Sequence, residues 1–167
     1  LETGSPRLQK FIGKNLNIER FQQSVEWTVK RGVFTHSFNM LGFPTETEEE
    51  MRKTIDITCN LPLHAAAFFT VTPFPGTPLY NMVKELAPDK IPAIDYRDME
   101  FANIKVNVST VPDNVLFAYQ RSAQRRFYLN PKRIYRIVRD FPSRPTLIRY
   151  GAQFLLRSSK SVFKKNK

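Results

Sequence analysis

The residues that this chain has few of limit its chemistry first. Its 167 residues include one cysteine, Cys59, and two histidines. A single cysteine excludes an internal disulfide and any metal cluster held only by cysteines of this chain, and we expect Cys59 to be a buried packing residue. Two isolated histidines with one cysteine do not form a zinc site. The sequence also lacks a hydrolase constellation of nucleophile and base.

Two further absences concern nucleotides and membranes. The sequence has neither Gly-x-x-x-x-Gly-Lys-Ser/Thr nor Gly-x-Gly-x-x-Gly, the glycine-rich loops that hold nucleotide phosphates. No apolar run approaches the roughly 20 residues of a membrane span, and no signal-peptide pattern is present. We therefore expect a soluble or peripheral protein in the cytoplasm, with the inner face of the membrane as the peripheral location.

Acidic residues are scarce in the last third of the chain. Residues 1–110 carry 12 Lys/Arg and 13 Asp/Glu, whereas residues 111–167 carry 14 Lys/Arg and 2 Asp/Glu, which accounts for the net charge of +11. This shift in charge predicts two parts. Residues 1–110 resemble an ordinary enzyme domain, and residues 111–167 form a basic helical extension.

Hydrophobic periodicity predicts an α/β order of elements in the first part. Apolar residues alternate over 33–41 and run together over 65–72, and both patterns are typical of strands. Each is followed by a turn and a helix start: Thr47 and Glu50 form a capping box, and Pro78 opens the later helix. The expected elements are helices at 6–14, 17–32, 47–60, 78–86, 112–129, 131–141 and 143–157, strands at 33–41, 65–72 and 104–108, a loop at 87–100 and a frayed tail at 160–167.

Two β-turn-α units in series predict a parallel sheet, whose C-terminal strand ends hold ligands in α/β folds. Small and glycine-rich positions there let backbone amides approach a ligand, and a carboxylate such as Glu2 suits ribose hydroxyls or an amino group. Glu46 is equally consistent with a solvated acid at a helix start. We expect His36 to be a helix-packed core residue and His64 a surface or turn residue. The candidate strand-end residues are Glu2, Thr3, Ser5, Asn39, Gly42, Glu46, Thr70, Thr72 and Gly76.

Three strand-end segments carry a family resemblance over about residues 1–85. They are Leu1-Glu-Thr-Gly-Ser-Pro6, Met40-Leu-Gly-Phe-Pro-Thr-Glu-Thr-Glu-Glu49 and Thr72-Pro-Phe-Pro-Gly-Thr-Pro-Leu-Tyr80. In this order they resemble the fourth, fifth and sixth strand ends of radical SAM enzymes. The greatest similarity is to the cobalamin-binding class with the anaerobic Mg-protoporphyrin monomethyl ester cyclases and hopanoid-modifying enzymes. The implied fold is α/β, the C-terminal half of a partial (β/α)6 barrel followed by a basic α-helical extension.

The resemblance also implies cofactors and roles. In that family a [4Fe-4S] cluster on a Cys-x-x-x-Cys-x-x-Cys loop cleaves S-adenosylmethionine reductively, or the same site supports cobalamin-dependent methyl transfer. By resemblance, Glu2 and Ser5 touch the ribose or methionine part of S-adenosylmethionine. The fifth-strand motif, beside the adenine, contains Asn39, Leu41, Gly42 and Glu46, with Glu46 shaping the turn. The sixth-strand loop from Thr72 to Gly76 meets the adenine through its backbone.

This chain has no Cys-x-x-x-Cys-x-x-Cys motif, so the cluster ligands and any cobalamin module would lie outside it. The resemblance therefore predicts a C-terminal fragment of a radical SAM oxidoreductase or methyltransferase. Such a fragment would be inactive without its N-terminal half. Its expected substrate is a small molecule, a porphyrin or a lipid.

The basic extension has three interpretations. It is a helical cap that packs on the barrel, a patch that contacts anionic membrane through 131–167, or a nucleic-acid surface. Nucleic acid is the least favoured, because no nucleic-acid module is recognisable. If the barrel resemblance fails, the alternative is a non-catalytic basic module that binds a membrane surface or nucleic acid, or a remnant without function.

Overall fold

The computed structural model describes residues 1–92, 94, 96, 107–143, 145–147 and 149 of a mixed α/β protein. Two strands form a small parallel sheet, and the helices that follow and precede them pack around it. In addition, residues 145–147 and 149 are helical. The elements are α1 (Pro6–Phe11), α2 (Ile18–Lys30), β1 (His36–Leu41), α3 (Glu48–Asn60), β2 (Ala65–Thr70), α4 (Pro78–Leu86), a 3₁₀ turn (Pro88–Lys90), α5 (Asp113–Tyr128) and α6 (Pro131–Asp140).

The sheet extends by a single bridge on the side of β1 away from β2. The ladder between β1 and β2 runs from the pair His36 and Ala65 to the pair Leu41 and Thr70. On the other side of β1, Glu2 bridges Asn39 in parallel: its amide donates to the Phe38 carbonyl at 3.0 Å, and its carbonyl accepts from the Met40 amide at 2.8 Å. Three successive chain segments therefore run side by side in sequence order, and the segment at Glu2 is joined to β1 by this bridge.

Local capping explains where the helices begin. The Thr47 and Glu50 capping box is present at α3, with three glutamates in the first turn where the helix dipole favours negative charge. Ser5, Asn17 and Thr77 cap α1, α2 and α4 through their side-chain oxygens. Several predicted helices are thus confirmed, although α1 ends at Phe11 rather than near residue 14.

The two faces of the sheet have different surroundings. Ser37, Asn39 and Leu41 of β1 and Ala66 and Phe68 of β2 are buried. The main core on that side contains side chains from α2, α3, β1, β2 and α5, and the largest of them are Phe68, Phe127, Leu41, Met51, Leu63 and Leu116. On the opposite face His36 and Phe38 are exposed. Helices α2, α3 and α5 therefore cover one face of the sheet.

A second apolar cluster supports the turns at the C-terminal edge of the sheet. It joins α1, the two strand-end turns, α4 and the segment before α5. Its buried members are Leu8, Phe43, Val71, Val83 and Val108. The apolar side chains of this cluster therefore pack against the turns that carry the candidate site residues.

Two predictions about histidine are wrong. His36 is exposed on the open face, with its ring 4.3 Å from that of Phe38, because the helices pack on the other face of β1. His64 is fully buried because α6 docks over the start of β2. Its Nδ1 accepts from the Thr35 amide at 3.1 Å, and its Nε2 lies 3.0 Å from Asp140 Oδ2.

One further prediction, the burial of Cys59, is confirmed, whereas several predicted elements lie partly or wholly outside the described residues. Cys59 is buried as predicted, and burial raises the pKa of its thiol. The expected strand at 104–108 and loop at 87–100 fall partly outside the described residues, and residues 107 and 108 are not in a strand. Residues 150–157 of the last predicted helix and the tail at 160–167 also lie outside them. In the part of the chain that the structure describes, no helix has the length and apolarity needed to cross a membrane.

Candidate functional site

Glu2 lies where the first segment reaches the edge of the sheet. Its backbone has φ +62, a left-handed conformation that is uncommon for a residue other than glycine. Its side chain is 29% exposed, and Oε1 lies 3.0 Å from Lys14 Nζ. The turn thus presents a partly exposed carboxylate at the strand end, paired with the exposed ammonium group of Lys14, which a ligand could replace.

The residues after Glu2 are bound tightly to α3. Thr3 is fully buried, and its Oγ1 lies 3.3 Å from that of Thr54. The Gly4 amide donates to Thr54 Oγ1 at 2.9 Å, and a Cβ on Gly4 would lie 2.9 Å from the Thr54 Cα. Ser5 accepts from the Leu8 amide and donates to Glu50 Oε1 at 2.6 Å. Thr3 and Ser5 therefore position this turn.

Glu46 closes the turn that follows β1. Its Oε2 accepts hydrogen bonds from the amides of Gly42 at 2.5 Å and Phe43 at 3.1 Å. The side chain is fully buried, and burial raises its pKa to about 7. The alternative of a solvated acid at a helix start is therefore wrong.

Gly42 is required by this turn for two reasons. Its φ is +90, a region that favours glycine, and an added Cβ would lie 2.9 Å from Leu116 Cδ2. The amides of Gly42 and Phe43 are already occupied by Glu46. Glycine at this position thus serves the turn and its packing on α5.

Two buried oxygen atoms at this edge have no hydrogen-bond partner among the described residues. They are Glu46 Oε1, in the turn after β1, and Thr72 Oγ1, two residues beyond β2. A buried polar atom without a partner costs free energy that a bound ligand or an ordered water molecule would recover. These atoms mark the strand ends as a place where a polar ligand would gain hydrogen bonds.

Asn39 and Leu41 lie beneath the edge, on the helix-covered face. Asn39 is fully buried: its Oδ1 accepts from Ser37 Oγ at 3.1 Å and Thr58 Oγ1 at 2.9 Å, and its Nδ2 donates to the Ala67 carbonyl at 3.1 Å. Leu41 is fully buried in the main core. These contacts join β1, β2 and α3. Thr58, which is not among the candidate residues predicted from the sequence, lies four positions after Thr54 on α3, and this helical spacing was a usable signal.

Gly76 lies in the proline-rich turn between β2 and α4. Its φ is +85, and a Cβ added there would meet no atom within 4 Å. The turn is braced by the Thr77 side chain, which donates to the Phe74 carbonyl and caps α4. The Tyr96 hydroxyl donates to the Pro73 carbonyl at 2.7 Å. The backbone at Gly76 is therefore held in place and open to a ligand.

The donor set does not fit a metal cluster. Among the residues that the structure describes, no group of three His, Cys, Asp or Glu side chains could hold a metal ion. Cys59, the single cysteine of the sequence, is buried on α3. An iron-sulfur cluster would need ligands from outside this chain.

Two cavities lie away from the strand ends. One, of about 930 Å³, lies along α5 and its junction with α6 and includes Arg121, Arg125 and Lys132. The other, of about 480 Å³, lies between α1 and the start of α2 and includes Gln9. The candidate site is thus the C-terminal edge of the sheet, where polar atoms are available to bind a ligand, and it is distinct from both of these cavities.

Comparison with known proteins finds similar sequences of two kinds, and no protein-family model matches the chain. The chain is 29% identical over 132 residues to an uncharacterized methyltransferase of Pyrococcus horikoshii, which covers 79% of this chain and 28% of the relative. It is similar to tRNA-2-methylthio-N(6)-dimethylallyladenosine synthases. The identity is 26% over 92 residues for that of Baumannia cicadellinicola, covering 54% of this chain and 20% of the relative. The identity to the synthase of Mycolicibacterium smegmatis is 30% over 95 residues, which cover 55% of this chain and 17% of that relative.

The chain spans less than a third of the length of these curated relatives.

Proposed function

We propose that this chain is the S-adenosylmethionine-side half of a radical SAM barrel and belongs to a methyltransferase or an oxidoreductase. One observation carries the proposal. Residues 1–3, β1 and β2 lie side by side in chain order, and each is followed by a turn with polar or glycine residues and then a helix. Consecutive parallel βα units are the repeating element of such barrels.

The free edge of β2 supports its position as a last strand. The Tyr128 hydroxyl accepts from the Ala66 amide at 3.2 Å and donates to the Ala66 carbonyl at 2.8 Å. Gln120 Nε2 donates to the Phe68 carbonyl at 2.9 Å. Side chains of α5 thus occupy backbone groups that a further strand would need, which is one way that proteins protect a sheet edge. In the proposal, the first three strands belong to the missing N-terminal half.

The open face of the sheet is the proposed inside of the barrel. Its rings form a series, with His36 4.3 Å from Phe38 and Phe38 6.2 Å from Phe69 between ring centroids. An apolar, aromatic interior suits a small-molecule, porphyrin or lipid substrate better than a highly charged one. The N-terminal half of the protein would complete the enclosure.

The strand-end residues fit S-adenosylmethionine, which supplies a methyl group or a 5′-deoxyadenosyl group when bound. Glu2 would accept hydrogen bonds from ribose hydroxyls or from the methionine amino group. Thr72 Oγ1 and Glu46 Oε1 are the buried atoms free to bind the adenine side, and Gly76 allows close backbone approach. The positioning residues in this proposal are Ser5, Asn39, Leu41 and Gly42.

The other two cofactors are outside this chain in the proposal. The [4Fe-4S] cluster would be held by the N-terminal half, since Cys59 is buried and alone. Cobalamin rests on the resemblance of the three strand-end motifs to one class of radical SAM enzymes. The names of the relatives, a methyltransferase and methylthio-adenosine synthases, favour group transfer as the overall reaction.

The experiment uses the longer protein that contains this chain, reconstituted without oxygen with iron and sulfide and given S-adenosylmethionine and a strong reductant. We expect 5′-deoxyadenosine or S-adenosylhomocysteine as a product. Thr72→Val removes the free hydroxyl, and we expect it to raise the Kd for S-adenosylmethionine roughly tenfold. The matched control is Thr28→Val on α2, whose hydroxyl donates to the Ser24 carbonyl of its own helix and, among the described residues, has no other partner. Absence of both products from the wild-type protein would refute the proposal.

A further inference from the structure

The exposed side of α6 combines apolar and basic residues. The side chains of Ile134, Tyr135 and Val138 are 47%, 67% and 54% exposed, and they occupy neighbouring positions around the helix. Leu129, at the end of α5, is 72% exposed. Together with Lys132 and Arg139, which are also exposed, these residues are the α6 surface. A cluster of this kind on a folded protein usually marks an interaction site.

The orientation of α6 is fixed by contacts on its other side. Arg133 is buried under α6, and its guanidinium donates to the carbonyls of Cys59 at 2.7 Å and Leu61 at 3.2 Å near the end of α3. The same group lies 3.6 Å from the centroid of the Phe127 ring. At the far end of α6, Asp140 pairs with the buried His64. Because Arg133 and Asp140 hold the opposite side of α6 against the protein, Ile134 and Val138 face the solvent.

The charge around the α6 surface is mainly positive. Between Asp113 and Asp140 the sequence contains only basic charged residues. Arg121, Arg125 and Lys132 line the cavity along α5 that opens beside this surface. Asp140 lies at the end of α6 and is already paired with Arg139 and His64. An anionic partner would therefore meet an excess of cations, since the nearby carboxylates Asp56 and Asp140 are paired with Arg126 and Arg139.

We propose that the α6 surface docks on an anionic lipid surface, with Ile134 and Val138 entering the interface and the cations facing the headgroups. Basic helices with an apolar stripe lie in the membrane interface in this manner, and each Lys or Arg near an anionic surface adds to the attraction. Tyr135 suits the same depth because it has an apolar ring and a polar hydroxyl. RNA is the less suitable polyanion, since its binding would leave the aliphatic side chains without an apolar partner.

The test is sedimentation of the full chain with vesicles of phosphatidylglycerol and phosphatidylcholine, and with phosphatidylcholine alone. We expect binding to the anionic vesicles that weakens as salt is added. Ile134→Ser with Val138→Ser should lower the partition coefficient roughly tenfold, because two half-exposed aliphatic groups no longer leave water. Lys132→Glu should lower it by a similar factor.

Matched controls separate this surface from general effects of charge and apolarity. Val33→Ser changes a valine that is 51% exposed just before β1, and Lys53→Glu reverses an exposed lysine on α3. Both should bind vesicles as the wild type does. Equal loss in the controls, equal binding to neutral vesicles, or salt-sensitive binding to RNA without binding to vesicles would each overturn the proposal. It is independent of the barrel proposal, because no vesicle readout requires S-adenosylmethionine.

Discussion

The two faces of the sheet carry similar residues in different surroundings. Phe68 is 1% exposed and meets Phe127 edge to face at 6.4 Å between centroids, whereas Phe38 is 55% exposed on the opposite face. Both residues follow the same period-two alternation, so what separates them is which face α3 and α5 cover. The packed face stabilises the fold, and the open face is available to bind a ligand or another part of the protein.

The largest expected effect is the difference in stability loss between alanine substitutions of two phenylalanines, Phe68 and Phe38. Phe68→Ala should lower the free energy of unfolding by about 3–5 kcal/mol, since it leaves a cavity in the main core. Phe38→Ala should lower it by less than about 1 kcal/mol, because its ring is already half in water. Urea denaturation of both variants measures the difference. Similar losses would mean that the open face is packed in solution.

The next effect concerns the buried carboxyl group in the turn after β1. The pKa of Glu46 is raised to about 7, above its ordinary value of 4.5, so the folded protein retains a proton that the unfolded chain has lost between these values. Stability should therefore fall as pH rises from about 4.5 to 7, by roughly 3 kcal/mol in total.

Urea denaturation across this pH range, compared with Glu46→Gln, isolates that contribution. The glutamine carbonyl can still accept from the Gly42 amide but has no proton to lose, so the variant should have a flatter profile. An unchanged slope in Glu46→Gln would assign the pH dependence to other groups. Glu50 would not explain it, because the Arg7 side chain lowers its pKa to about 2, so its contribution to stability changes only below about pH 4.5 and rises with pH there.

The smallest effect concerns the protected edge of β2. Tyr128→Phe removes the hydroxyl that bonds both backbone groups of Ala66, and it should lower the free energy of unfolding by about 1–2 kcal/mol. Hydrogen exchange of the Ala66 amide should become faster, while that of β1 amides changes little. The idea of a protected edge would be wrong if exchange at Ala66 were unchanged.

The sequence predicted those features that local interactions determine. The capping box at Thr47 and Glu50, the start of α4 at Pro78 and the alternation within β1 all depend on residues close together in the chain. Alternation separates two faces but does not say which one receives helices. For that reason the prediction for His36 was wrong, and the same limit applied to His64, whose burial depends on Asp140, 76 positions later.

Arg133 illustrates a second limit. On a helical wheel it belongs with the other basic residues of α6, yet it is buried and binds carbonyls near the end of α3. Desolvation lowers its pKa to about 10. Its neighbours Lys132 and Arg139 remain exposed, and no local pattern distinguishes the three. For the candidate site, the turn-shaping role of Glu46 followed from the resemblance, whereas the unpartnered Glu46 and Thr72 atoms emerged only from the packing around them.

The most direct test of the half-barrel account is the coding sequence immediately upstream of Leu1. The account predicts an in-frame continuation that contains three more β-turn-α units and a Cys-x-x-x-Cys-x-x-Cys motif after the first predicted strand. Such a continuation would supply the cluster ligands that Cys59 cannot. A start codon or a stop codon directly before Leu1 would contradict the account and give first place to a basic module that binds lipid surfaces through α6.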